Sequence, residues 1–252
     1  MIISPDTVID IAMAEEGYCE KSRTAYSQDP ECLYSKKAGA GSDNITKYGY
    51  EMHQVYPTTM DQFSYWCDSF VDWCFYKAYG VATAKSLLGG QFDDYTVSSA
   101  QMYKAKNAWY RTPKTGDQVF FTNGTRICHT GLVYKVDRSY IYTIEGNTSS
   151  KQVLEPNGGC VAKKKYSKGY PNIAGYGRPL YDVPATCCMG DSNEDVMTLQ
   201  RLLMGKGYDL PTYGIDGDFG GETAGAVKKF RAENGLKVSG MCDAECWKML
   251  LK

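Results

Sequence analysis

An α+β domain, with helices first and an antiparallel meander after them, followed by a small three-helix all-α domain, is what this sequence predicts. Three observations carry that expectation. Apolar residues recur at helical spacing between residues 65 and 79; from residue 118 short β-rich runs alternate with turn chemistry; and beyond residue 192 the helical period returns. The expected division is a first domain over 1–182, a linker over 183–191 and a second domain over 192–252. At 252 residues with 43% hydrophobic and 23% charged side chains, the chain holds enough apolar material for two cores.

Ser4-Pro5-Asp6 reads as an N-cap with Pro at the first helical position, and Val8, Ile11, Ala12 and Glu15 continue the helix until Gly17. Residues 18–59 are polar, rich in Gly, Ser and Tyr and without a clear period, which reads as a long ordered loop. The next helix runs from Tyr65 to Tyr79 and closes at Gly80. Trp66, Phe70 and Trp73 form one stripe, with Cys67, Val71, Cys74 and Ala78 beside it. One or two further helices fill 82–110.

Strands are expected at 118–121, 129–136, 140–145, 160–166 and 173–176. Asp137-Arg138-Ser139 splits two of them as a hairpin turn. After the break DVPATCCMGDS, three helices are marked by Val196, Leu199, Leu202 and Leu203, then by Ala226, Val227 and Phe230, then by Trp247, Leu250 and Leu251. Gly235 stands where a helix stop is expected.

Several function classes drop out. The formal net charge of −1 lacks the basic excess of a nucleic-acid binder, so no nucleic-acid partner is expected. No apolar run approaches the ~18–20 residues of a membrane crossing, so no membrane insertion is expected. The start of the chain lacks the basic, apolar and small-residue pattern of a secretory signal, which predicts a protein held in the cytoplasm until released. With two histidines, His53 and His129, a three-His zinc site cannot be built, and HExxH, CxxC, GxSxG, P-loop and GxGxxG patterns are all absent. Cys187, Cys188, Cys242 and Cys246 have atypical spacing for zinc, and Asp216-Gly217-Asp218 lacks the Glu that closes a calcium loop. Neither a metal nor another cofactor is expected. A Cys–His mechanism survives.

Cys67 lies in the first turn of its helix, where the dipole and free N–H groups favour a thiolate and can lower a thiol's pKa. Cys74, deep in the same helix, reads as a core thiol. The hairpin supplies the base. A turn of Asp137–Ser139 sets Val136 opposite Tyr140, hence Gly131 opposite Glu145 and His129 opposite Asn147. Residues two apart share a face, so His129, Glu145 and Asn147 are expected on one side. There the imidazole would deprotonate the thiol and the carboxylate or amide would orient the ring. His53 has no such partners nearby in sequence.

Four ordered blocks, WCDSFVDWCF (66–75), PKTGDQVFF (113–121), HTGLVY (129–134) and TIEGNTS (143–149), resemble a CHAP domain. Members of that family are papain-like Cys–His amidohydrolases that cut the peptide part of bacterial cell walls. The resemblance implies a papain-like fold over the first domain, Cys67 as nucleophile, His129 as base, and Glu145 and Asn147 as orienting groups. SDNITKYGY (42–50) resembles the family's upstream loop and places Tyr48, with Trp66, at the substrate groove. EDVMTLQRLL (194–203), KGY (206–208), DGDFGGETAGAVKKF (216–230) and NGL (234–236) resemble a type 1 peptidoglycan-binding domain; Cys242 and Cys246 depart from its usual pattern before the Trp. The whole implies a monomeric peptidoglycan hydrolase of endolysin type, with bacterial peptidoglycan as partner. An N-acetylmuramoyl-L-alanine amidase is the first reading. A stem-peptide or cross-bridge endopeptidase and a catalytically inactive wall-binding protein are the alternatives.

Overall fold

The computed structural model describes residues 2–252. They form two compact units, Thr7–Lys135 with Tyr140–Leu180, and Tyr181–Lys252 with residues 2–6 and Val136–Ser139. Helix α1 (Pro5–Ala14) starts as its Ser-Pro-Asp sequence requires, and from Thr7 on it belongs to the first unit. It is followed by α2 (Arg23–Gln28), a short 3-10 helix (Pro30–Tyr34), α3 (Lys47–Val55), α4 (Cys67–Leu87) and α5 (Thr96–Ala105). A six-stranded sheet then forms from β1 (Trp109–Tyr110), β2 (Gln118–Thr122), β3 (Ile127–Val136), β4 (Tyr140–Thr148), β5 (Cys160–Ser167) and β6 (Ile173–Gly177). Its strand order is β1-β6-β2-β3-β4-β5.

The segment expected as a loop over 18–59 is partly helical. Capping drives this: Ser22 accepts from the Ala25 N–H, Asp29 from Glu31, and Thr46 from Gly49, each satisfying a free donor at a helix start. In α3, Tyr48 and Met52 stand one turn apart and both are fully buried, an apolar stripe too short to show above the polar background.

Helix α4 is the spine of this unit. Gly80 takes φ 74° and ψ 169°, so the helix breaks at the residue expected to end it and then continues to Leu87. Its aromatic stripe packs around Tyr48, whose ring lies 5.4 Å from that of Trp66 and 5.1 Å from those of Phe70 and Trp73. Gly146 of β4 lets the helix approach closely, because a Cβ there would come within 2.5 Å of Phe70 Cβ. A disulfide joins Cys19 to Cys160 on β5, a pairing that the spacing of the cysteines gives no means to deduce.

The second unit contains α6 (Glu194–Gly205), α7 (Gly221–Glu233) and α8 (Ala244–Leu250). Asn193 and Asp243 cap the first and last of these. Leu199, Leu203, Val227, Phe230 and Trp247 fill its core, as the periodicity predicts. The stretch expected as a linker is packed as well. Val183 and Cys187 belong to this core, and Trp247 Nε1 donates to the Ala185 carbonyl at 2.9 Å. The free cysteines Cys187, Cys242 and Cys246 are buried there, whereas Cys188 is partly exposed.

Candidate active site

Cys67 is the first residue of α4, preceded by Trp66 as a cap without a side-chain cap bond. It is 3% exposed and lies on the wall of a cleft of about 430 Å³. The Thr130 main chain of β3, one residue on from His129, acts to lower the thiol's pKa. The helix position predicted a lowered thiol pKa, and the structure reverses that direction. Burial, then the Asp68 carboxylate, push the Cys67 thiol well above its ordinary value, and the Thr130 main chain offsets this in part.

His129 Nε2 lies 2.9 Å from Glu145 Oε2, and both side chains are fully buried. Thr143 Oγ1 donates to Glu145 Oε1 at 2.5 Å and the Tyr166 hydroxyl to Oε2 at 3.4 Å. Three donors therefore converge on one carboxyl group. A carboxylate accepts and does not donate, so Nε2 is the donor in this contact, and in the neutral ring Nδ1 carries the lone pair. That Nδ1 is buried and has no hydrogen-bond partner among the described residues. Phe121 lies beside the imidazole, ring centres 5.8 Å apart. Gly131 makes room for the pair, since a Cβ there would come within 2.5 Å of Glu145 Cγ, close to where the hairpin register sets it.

Asn147 does not join this group. Its backbone is left-handed, φ 54°, and the pairing of β4 with β5 shifts register between Glu145 and Thr148. That irregularity breaks the alternation from which a shared face was expected. The Asn147 amide instead donates to Asn44 Oδ1 at 3.3 Å and accepts from the Gly159 N–H at 3.2 Å.

The two groove residues also lie elsewhere. Tyr48 is fully buried and donates to Glu15 Oε2 at 2.8 Å; Trp66 is 1% exposed and its Nε1 donates to Glu20 Oε2 at 2.8 Å. Both are core aromatics, held by the packing that a helical stripe of that size demands. Tyr65 and Tyr95 line the cleft in their place, with Asp61, Asp94 and Arg126. Tyr65 directly precedes the Trp66–Cys67 pair, but a lone exposed aromatic carries no periodic signal. His53 bonds the Met60 carbonyl through Nδ1 at 2.7 Å, a local structural contact.

A buried polar chain lies behind the cysteine. Gln118 Nε2 donates to Asp68 Oδ1 at 2.8 Å and to Thr130 Oγ1 at 3.1 Å, and Ser99 donates to Asp68 Oδ2 at 2.6 Å. Burial raises the Asp68 carboxyl to about 7 against the lowering by these two donors.

A model of the CHAP domain matches residues 59–147, and one described as a putative peptidoglycan binding domain matches residues 192–250. The chain carries a CHAP domain followed by a peptidoglycan-binding domain. Cys67, His129, Glu145 and Asn147 all fall within the CHAP match, and α6 to α8 within the other. The "N-acetylmuramoyl-L-alanine amidase CwlL" of Bacillus licheniformis is 40% identical over 52 residues, 21% of this chain and 14% of that protein. A "probable N-acetylmuramoyl-L-alanine amidase" of the same organism is likewise 40% identical over 52 residues, 15% of its length. The chain thus spans about one seventh of the curated relatives it matches. Among solved structures, the Burkholderia AP3 phage endolysin is 36% identical over 27% of this chain and 25% of its own, with a TM-score of 0.25. Ly7917 covers 73% of this chain and 64% of its own at 13% identity, with a TM-score of 0.38.

Proposed function

We propose that the chain is a peptidoglycan hydrolase in which the CHAP domain cuts an amide bond of the wall peptide through Cys67. The observation that carries this is the buried His129–Glu145 pair, which leaves Nδ1 unpartnered on the residue next to Thr130, whose main chain acts on the Cys67 thiol. Because burial favours the neutral thiol, we infer that the proton leaves as attack begins. His129 Nδ1 takes the proton from Sγ while sulfur adds to the amide carbon. The imidazolium then gives that proton to the departing amine nitrogen as the C–N bond breaks, leaving a thioester. Water adds to the thioester with its proton going to Nδ1, the S–C bond breaks, and the returning proton restores the thiol. Glu145 holds the ring in the tautomer that keeps Nδ1 basic and balances the imidazolium charge.

The peptidoglycan-binding domain holds the chain on its polymer and raises the local concentration of bonds to cut. We assign the cut to the lactyl–L-alanine amide, an N-acetylmuramoyl-L-alanine amidase reaction, in line with the names of the two Bacillus relatives. We read the pairing of a cutting and a holding domain as that of an endolysin. Mass spectrometry of fragments released from defined sacculi tests the assignment. New L-alanine amino termini are expected; termini within the stem or cross-bridge would make the enzyme an endopeptidase. Wall binding with no released fragments would make it a binding protein.

A further inference from the structure

The cleft beside Cys67 is electrically divided. Asp94 and Asp61 stand on its wall, and Asp94 Oδ2 is fixed by the Asp61 N–H at 2.8 Å and by the Ser64 hydroxyl at 3.1 Å. No hydrogen bond uses Asp94 Oδ1 among the described residues. Arg126 also lines the cleft, on the turn between β2 and β3, where Asn123 Oδ1 accepts its main-chain N–H at 3.0 Å. Its guanidinium bonds the Ile127 carbonyl at 3.3 Å and forms no ion pair among the described residues. Its charge is felt in the cleft, where it lowers the Cys128 thiol against the upward push of burial.

Opposite charges that share a cleft and do not neutralise one another are complementary to a ligand carrying both signs. Partial burial makes the Asp94 charge worth more than on open surface and already pushes its carboxyl up, whereas Arg126 stands exposed at the rim. A bound ammonium would relieve that cost. The guanidinium fork suits a carboxylate in the same way.

We propose that this cleft selects a zwitterionic peptide, with Asp94 receiving a free ammonium of the substrate and Arg126 a free carboxylate. The proposal rests on the hydrolase reading above and specifies which wall peptides it accepts: those with an unmodified side-chain amine and an unmodified carboxylate near the scissile amide.

The test uses three soluble wall fragments that differ at one group each: unmodified, amine acetylated, and carboxylate amidated. For the full chain, kcat/KM is expected to fall about tenfold or more on each masked fragment, the size of one charge-assisted hydrogen bond. Asp94→Asn, which keeps the acceptor facing Asp61 and Ser64, is expected to lose discrimination against the acetylated fragment and keep it against the amidated one. Arg126→Gln, at an exposed turn, is expected to do the reverse. Equal rates on all three fragments for the unaltered chain would overturn the proposal and leave the hydrolase reading standing. So would variants that lose the same fraction of activity on every fragment. Turnover of none of them by the unaltered chain, with none from sacculi, would overturn both.

Discussion

His129 and Glu145 meet with no water-exposed surface on either side chain, Nε2 to Oε2 at 2.9 Å across neighbouring strands. Glu145→Gln tests what that contact does. The amide can present its NH2 to Nε2, which moves the ring proton to Nδ1 and removes the base while leaving the packing intact. A fall in kcat of about 100-fold or more is expected, within the range for losing general base catalysis. Thermal unfolding should change little. A variant that keeps its rate would show that the carboxylate serves stability alone.

Cys67 and Cys74 separate chemistry from packing on one helix. Cys67→Ser should lose nearly all hydrolysis, since a hydroxyl is a far weaker nucleophile at this pH, and should keep wall binding. Cys74 is 1% exposed, so Cys74→Ser buries a hydroxyl and should cost about 1–3 kcal/mol of stability with activity retained below the melting transition. His53→Ala should behave like an ordinary structural change, because its ring bonds the Met60 carbonyl. Equal activity losses in folded Cys67 and Cys74 variants would count against the assignment.

The pH dependence of stability should carry a signature of Asp68. Its folded pKa of about 7 lies above the ordinary carboxyl value of 3.8, so the folded state holds this proton more tightly than the unfolded chain. The contribution is fully present below about pH 4 and is lost as pH rises through 7. Asp68→Asn should flatten the melting temperature between those values and raise it above pH 7, where the native chain bears a buried charge. Circular dichroism melts across pH 4–8 read this directly. An unchanged slope would mean that Asp68 is not the titrating group.

How much of this was legible beforehand follows from what each element depends on. Helix α4 and the β3–β4 hairpin are coded locally, by an aromatic stripe and by a three-residue turn, and both stand where the pattern puts them. Cys67 and His129 stand out as candidates from residue chemistry, from helix position for the thiol and from the hairpin register for the imidazole. Asn147 could not be placed, because its orientation turns on a register shift that β5 imposes from a distance. Tyr48 and Trp66 failed as groove residues for a similar reason. A large aromatic on a stripe is drawn into the core, and what faces the cleft instead is loop residues such as Tyr65 and Asp94 without periodic neighbours. The thiol's pKa direction reversed because local sequence shows the helix dipole but not the burial that outweighs it.

The Cys19–Cys160 disulfide closes a loop over a sequence separation of 141. Chain-entropy reasoning gives such a cross-link up to about 5 kcal/mol, by restricting the unfolded chain. Cys19→Ser with Cys160→Ser should therefore lower the denaturant midpoint markedly with little change in kcat at low temperature. Reductant should have the same effect on the native chain and none on the double variant. A reductant effect that persists in the variant would point to another cysteine pair.

Removing residues 181–252 asks whether holding and cutting are separate. The cut falls before Val183, because that residue and Cys187 belong to the C-terminal core; a truncation at residue 190 would strand them in water. If the binding domain works by tethering, its removal leaves kcat/KM on soluble fragments within a few-fold. Action on intact walls should then fall by about 10²-fold or more at low enzyme concentration, the scale of a linked second site. Raising the enzyme concentration should restore much of the lost rate, since tethering is a concentration effect. Loss on soluble fragments to the same degree, in a truncated chain that still melts cooperatively, would show that the two domains do not divide the work.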